Sequence, residues 1–70
     1  MSRVQCYAGA SYPERPTAFE QEGRWLEVIE VRRRVRTPQG LFFDVLASDQ
    51  RLYRLTWREI ADEWDVRPGA

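Results

Sequence analysis

The chain has 70 residues, of which 11 are basic and 11 acidic, so its formal net charge is zero. Every basic residue is arginine, histidine is absent, and the one cysteine is Cys6, which excludes an internal disulfide and a zinc site built from Cys and His. A neutral chain also lacks the positive charge that strong non-specific DNA binding normally requires.

A chain of this length is expected to form a single domain over residues 1–70. Such a small domain buries only about 60% of its unfolded surface, so its stability depends on an aromatic and aliphatic core or on self-association. There is no apolar run long enough for a membrane span and no signal-peptide pattern. Together with the free thiol, this predicts a cytoplasmic protein with no membrane partner.

The first predicted element is a short strand, VQCYA, whose alternating residues Val4, Cys6 and Ala8 share one face. SYPERP follows, with two prolines three residues apart, a spacing that neither a helix nor a central strand accommodates. We therefore predict an extended loop over residues 9–17. After it, Gly23 in QEGR is the natural residue for positive φ in a turn.

A long strand is predicted next, because RWLEVIEVRRRVR is rich in β-branched residues and contains neither glycine nor proline. Its apolar residues change parity along the run, so we expect a β-bulge near residues 28–30 that bends the strand. Bent strands in a short meander close into a small barrel. LFFDVLA and LYRLTW are the next strands, and TPQG and SDQR are the turns that precede them.

The segment TWREIADEWDV allows two structures. Thr56 and Glu59 have the spacing of a capping box, which indicates a short helix. The alternative, which we favour, is a turn through residues 59–62 between two strands, because little more than one helical turn would fit. Residues 67–70 are predicted to be a flexible tail. The whole pattern predicts an all-β fold, a small antiparallel meander of five to six strands bent into a partly open barrel.

The loop at TPQG decides which face each arginine occupies. A three-residue loop places Val35 opposite Phe43 on the apolar face, with Arg33 as its one misfit. A two-residue loop instead places Val35 opposite Phe42 and Arg33 opposite Asp44. We favour the first register because it agrees with the SDQR turn on one apolar face. That face carries Val31, Val35, Phe43, Val45, Ala47, Tyr53, Leu55 and Trp57.

The favoured register gathers arginines and apolar groups on the opposite face. The candidate binding residues there are Arg32, Arg34, Arg36, Phe42, Leu46 and Arg54. Arginines interleaved with an aromatic ring can track phosphates and stack bases of single-stranded nucleic acid. An acidic protein partner or a second copy is the alternative occupant, and monomer and homodimer both stay open. A solvated face whose arginines pair with Glu30 or Asp44 is the third interpretation.

Catalysis has few candidate residues. There is no histidine or lysine base, and Cys6 lies in a predicted strand where a buried, inert thiol is expected. No glycine-rich phosphate loop is present, and carboxylates such as Asp62 and Asp65 belong to an acidic, solvated stretch. We therefore expect a non-enzymatic binding or accessory module with no cofactor and no metal site.

A spaced pattern runs through residues 16–35: Pro16, Phe19, Gly23, Arg24, Val28 and Val31. In this pattern the chain resembles a small bacterial domain of unknown function, and Trp64 together with YxERP extends the likeness over residues 12–64. Val35 stands where that family tends to have an aromatic residue. Some relatives resemble segments associated with error-prone polymerase accessory proteins, so the resemblance implies a nucleic-acid context without assigning a role to any residue.

Overall fold

The computed structural model of the protein describes residues 3–8 and 13–69. These residues form six antiparallel strands and no helix, and the strands neighbour one another in chain order. The strands are β1 (Val4–Ala8), β2 (Pro13–Gln21), β3 (Arg24–Thr37), β4 (Gly40–Ala47), β5 (Leu52–Arg58) and β6 (Glu63–Pro68). The meander curls into a half-barrel, which confirms the predicted all-β, partly open barrel. Over the described ranges, no helix could cross a membrane.

Strand β2 starts earlier than predicted. The loop expected over residues 9–17 is wrong from Pro13 onward, where β2 begins, and residues 9–12 lie outside the described residues. Pro16 lies beside a register shift in the β1–β2 pairing, and β2 pairs with β3 only from Ala18 onward. Because the start of β2 has a partner on one side only, a residue without an N–H is tolerated there.

Strand β3 is the longest, and it belongs to both halves of the curled sheet. Its first part pairs with β2 and the rest pairs with β4. The bulge predicted near residues 28–30 is present as a register shift between Val28 and Glu30, and a second shift lies between Val31 and Arg33. Bulges bend a strand and increase its twist. The two bulges therefore let the β1–β3 half fold over the β3–β6 half.

Short turns join the successive strands from β2 to β6, and residues with positive φ occur in three of these turns. Glu22 and Gly23 have φ of 52° and 79°, so the turn predicted at QEGR is confirmed. At the next turn Thr37 lies opposite Gly40, which leaves a two-residue loop. The two-residue alternative is therefore right and the favoured three-residue loop is wrong. The Gly40 N–H donates to Thr37 Oγ1 at 3.1 Å, which fixes this tighter turn.

The turn through residues 59–62 is also confirmed, since β5 and β6 flank it and the described chain has no helix there. Asp62 has a φ of 51°, and its Oδ1 accepts a hydrogen bond from Trp57 Nε1 at 2.9 Å. The Glu59 N–H donates to the carbonyl of Gln39 at 2.8 Å. This bond ties the β5–β6 turn to the β3–β4 turn at the same end of the sheet.

Strand β6 continues into the segment that was predicted to be a flexible tail over 67–70. Arg67 and Pro68 belong to β6, so the prediction is wrong for both. The following residue, Gly69, still donates its N–H to the carbonyl of Leu52 at 2.8 Å. The last residue lies outside the described residues.

The core lies on the inner face of the half-barrel. Its buried members are Phe19, Leu26, Leu41, Phe43, Val45, Ala47, Tyr53, Leu55, Trp57 and Val66. Phe19 and Tyr53 meet edge to face with ring centroids 5.0 Å apart. Because Phe19 is on β2 and Tyr53 is on β5, this contact joins the two halves of the sheet.

The β4–β5 register differs from the expected one by two residues. Val45 lies opposite Tyr53, where Leu55 was expected. A shift by two residues keeps each side chain on its face, so the predicted apolar positions of β4 and β5 are all buried. Val35 is the exception on β3, because it lies opposite Phe42 on the outer face.

Candidate nucleic-acid interface

A row of charged residues crosses the outer face of the β3–β6 half. Arg33 lies opposite Asp44, Asp44 opposite Arg54, and Arg54 opposite Arg67. Directly paired residues share a face. Adjacent strands lie about 4.8 Å apart, so the row extends over roughly 14 Å. We call these four residues the charged row.

Asp44 is the carboxylate between two arginines of the row. Arg54 donates from Nε to Oδ1 at 2.8 Å and from Nη2 to Oδ2 at 3.1 Å, and Arg33 Nη1 lies 3.9 Å from Oδ2. The hydrogen bonds from Arg54 hold the pKa of Asp44 below its ordinary value, against a smaller opposing effect of burial. The carboxylate therefore stays ionised and fixes the plane of the Arg54 guanidinium.

Phe42 lies next to the charged row on the same face and is half-buried. The guanidinium carbon of Arg54 is 4.1 Å from the centroid of its ring, and that of Arg33 is 5.9 Å away. Both positions are within the range of a cation–π contact. Arg54 is thus held by an aromatic ring as well as by a carboxylate, while its side chain remains 47% exposed.

The two ends of the row are more exposed than its centre. The side chains of Arg33 and Arg67 are 61% and 77% exposed. Arg67 Nε donates to Asp65 Oδ2 at 2.8 Å. Exposed pairs of this kind contribute little to stability and exchange readily with other partners. Both ends can therefore accept a new anion.

A shallow depression of about 760 Å³ borders the charged row. The row lines it together with Arg32 and with the chain at Pro68 and Gly69. Its cationic lining suits an anionic ligand. No three His, Cys, Asp or Glu side chains cluster to hold a metal ion in residues 3–8 and 13–69.

Three of the six predicted binding residues lie together on the outer face. Phe42 and Arg54 are in contact there, and Leu46 lies on the same face opposite Leu52. Arg32 occupies the second bulge of β3, where its Nε lies 3.6 Å from Glu30 Oε1.

Arg34 and Arg36 are placed on the other face, so their assignment to the outer face is corrected. They lie opposite Phe43 and Leu41, which are both buried. The cause is the combination of the two-residue loop and the bulge at Arg32, which inverts the expected alternation of β3.

The sequence prediction missed two members of the row. Arg33 was assigned to the apolar face, although the two-residue loop alternative already placed it opposite Asp44. Arg67 was assigned to a tail, although alternation in EWDVRP continues up to it. The first error comes from the predicted length of the β3–β4 loop, and the second from the predicted end of β6.

The described fold is an antiparallel half-barrel with a charged outer face. No family model, no curated protein and no solved structure matches the chain. Its function is therefore inferred from the geometry of that face.

Proposed function

We propose that the protein is a non-enzymatic binding module whose outer face receives single-stranded nucleic acid. The observation that carries this proposal is the charged row, in which Arg33, Arg54 and Arg67 lie in line across four neighbouring strands. A guanidinium is planar and matches a phosphate with two parallel hydrogen bonds. Arg33 and Arg67, at the two ends of the row, mark a track for a sugar–phosphate backbone, and Arg54 lies between them.

Arg33 and Arg67 are the proposed phosphate contacts. Both are mostly exposed, and Arg33 lies 3.9 Å from Asp44, beyond hydrogen-bond distance. A phosphate can thus engage Arg33 without breaking a hydrogen bond. At Arg67 it replaces the Asp65 carboxylate, at a small cost because that pair is exposed.

Arg54 is the proposed platform for a base. Asp44 and Phe42 hold its guanidinium from two sides, so its orientation is set before a ligand arrives. Nucleic-acid bases stack on guanidinium planes as they do on aromatic rings. Stacking tolerates any base, so we expect binding with little sequence preference.

The proposal predicts weak, salt-sensitive binding, because the chain has no net positive charge. For single strands, the logarithm of the affinity falls with the logarithm of salt concentration by about 0.7 for each phosphate contacted, so the two contacts at Arg33 and Arg67 give a slope of about −1.4. The measurement is fluorescence anisotropy with labelled single strands of about 12 nucleotides, from roughly 20 mM salt upward. A parent protein that binds no strand at the lowest salt would overturn the proposal.

The matched variants are Arg33→Ala/Arg67→Ala and Arg24→Ala/Arg51→Ala. Each removes two positive charges, but Arg24 and Arg51 lie outside the row, near Asp49. We expect only the first variant to lose most of its affinity and to reduce the salt slope by about 1.4. Equal losses in both variants would indicate a response to net charge, and the row would then not be a site.

A second candidate function is a protein-interaction module. The observation that favours it is the pair Leu46 and Leu52, which lie opposite each other on the outer face and are half-buried. Replacing Leu46 by Glu would then remove the interaction while the fold and the binding of single strands persist.

The free thiol supports a cytoplasmic setting for either function.

A further inference from the structure

The outer edge of β6 offers unpaired main-chain groups. In the described part of the chain, β6 is last in the strand order and pairs with β5 alone. Gly69 donates its N–H to Leu52, its direct partner when the β5–β6 register is continued. Residues that hydrogen-bond to one neighbour alternate along an antiparallel strand. Trp64, Val66 and Pro68 therefore direct their main-chain groups away from β5.

The opposite side of β5 gives the same result independently. The Ala47 N–H donates to the carbonyl of its partner Arg51, so residues of odd number in β5 hydrogen-bond to β4. Those of even number then bond to β6, where Arg54 and Thr56 lie opposite Arg67 and Asp65. Proline in β6 also fits, because a residue without an N–H belongs on the outward side of an edge strand.

We propose that two copies of the chain pair through these edges, with β6 antiparallel to β6 around a two-fold axis at Val66. In this register the Val66 N–H of each copy donates to the Val66 carbonyl of the other. The Trp64 N–H of each copy donates to the Pro68 carbonyl of the other. Four main-chain hydrogen bonds then join the half-barrels into one sheet, and the missing N–H of Pro68 leaves no donor unpaired.

Charge selects this register among the alternatives. Asp65 and Arg67 flank Val66 and share the outer face, since their side chains already meet at 2.8 Å within one copy. Pairing at Val66 sets Asp65 of each copy opposite Arg67 of the other. Pairing at Asp65 would oppose two carboxylates, and pairing at Arg67 would oppose two guanidinium groups. Like charges directly opposite destabilise a strand pair, whereas opposite charges stabilise it.

The apolar side chains of β6 also match in this register. Val66, a buried core residue, meets Val66 of the second copy, and Trp64, which packs against the core, meets Pro68. The contact uses the same patch of both copies, so it closes after two chains and consumes both β6 edges. Charged residues and proline on an edge normally prevent uncontrolled pairing. In β6, Asp65, Arg67 and Pro68 favour one antiparallel register, the one centred on Val66.

The test reverses the charges of Asp65 and Arg67 and measures dimer formation by analytical ultracentrifugation. Asp65→Arg and Arg67→Asp each place like charges opposite one another, so each variant is expected to weaken the dimer about tenfold or more. The double variant Asp65→Arg/Arg67→Asp restores complementarity and should dimerise like the parent. A mixture of the two single variants should form a heterodimer that is stronger than the homodimer of either variant alone.

The control is Arg51→Asp, an exposed charge reversal outside β6, which should leave association unchanged. Hydrogen exchange supplies a second readout. The amides of Trp64 and Val66 should gain protection as protein concentration rises, whereas that of Asp65, which faces β5, should not change. Circular dichroism confirms that each variant is folded. A parent that stays monomeric up to about 1 mM, or an exchanged double variant that does not recover, overturns the proposal.

Discussion

Arg54 holds Asp44 at two points, with Nε to Oδ1 at 2.8 Å and Nη2 to Oδ2 at 3.1 Å. The pair joins β4 to β5 and sets the guanidinium over the ring of Phe42. Without the carboxylate, Arg54 would lose both hydrogen bonds that set the plane of its guanidinium, and Arg33 would lose its ionic neighbour. Asp44 therefore organises the outer face as well as neutralising part of its charge.

Asp44→Asn is expected to lower the free energy of unfolding at neutral pH by no more than about 1 kcal/mol. The pKa of Asp44 is lower in the folded protein than its ordinary value, mainly because of Arg54. This contribution is therefore complete above the ordinary pKa and is lost as pH falls through the folded pKa. Denaturant unfolding measured against pH should show parent and variant converging in acid. A difference that persists in acid would mean that Asp44 contributes through its shape, not its charge.

The adjacent residues Phe42 and Phe43 provide a matched pair for the two faces of β4. Phe43 is fully buried, so Phe43→Ala should cost about 3–5 kcal/mol. Phe42 is on the outer face beneath Arg54, so Phe42→Ala should cost no more than about 1.5 kcal/mol. Denaturant titration of both variants measures the difference. Equal costs, or the reverse order, would contradict the assignment of Phe43 to the core and of Phe42 to the outer face.

Gly40 and Gly23 provide a second pair. A Cβ on Gly40 would lie next to the carbonyl oxygen of Trp57, and its φ of 156° is rare for other residues. Gly40→Ala should therefore cost at least about 2 kcal/mol, because main chain would have to move. Gly23 has nothing within 4 Å of the same position, so Gly23→Ala should cost about 1 kcal/mol, from its positive φ alone. Thermal unfolding of both variants tests the order.

The thiol of Cys6 is expected to react slowly. Burial raises its pKa to about 11, so only about one thiol in a thousand is ionised at pH 8. Reaction with a disulfide reagent at that pH should be much slower in the folded protein than in denaturant, and it should accelerate as pH rises. Equal rates in the two states would show that Cys6 is not protected by the fold.

The strands and turns follow largely from local sequence. Alternation over LFFDVLA and LYRLTW predicts which residues are buried, and a shift of the β4–β5 register by two residues leaves that result unchanged. Gly23 fixes one turn, because few other residues adopt its φ. The bulge near residues 28–30 was visible because apolar residues change parity there.

No feature of the sequence predicted the second bulge in β3. Arg32 has arginine after it and valine before it, and no change of apolar parity reveals where the extra residue lies. The prolines at the start of β2 were misleading for a related reason. Local sequence shows that proline lacks a donor, but only the assembled sheet shows that β2 has a partner on one side at that point.

The sequence alone determined the class of this protein, an antiparallel meander with an apolar inner face, because alternation and turn residues act over a few neighbours. Tertiary structure decided which arginines form the row. A one-residue difference in one loop and one bulge exchanges the faces of Arg33, Arg34 and Arg36. Those choices depend on how β3 packs against β4 and how the core fills, and these interactions join residues distant in the chain.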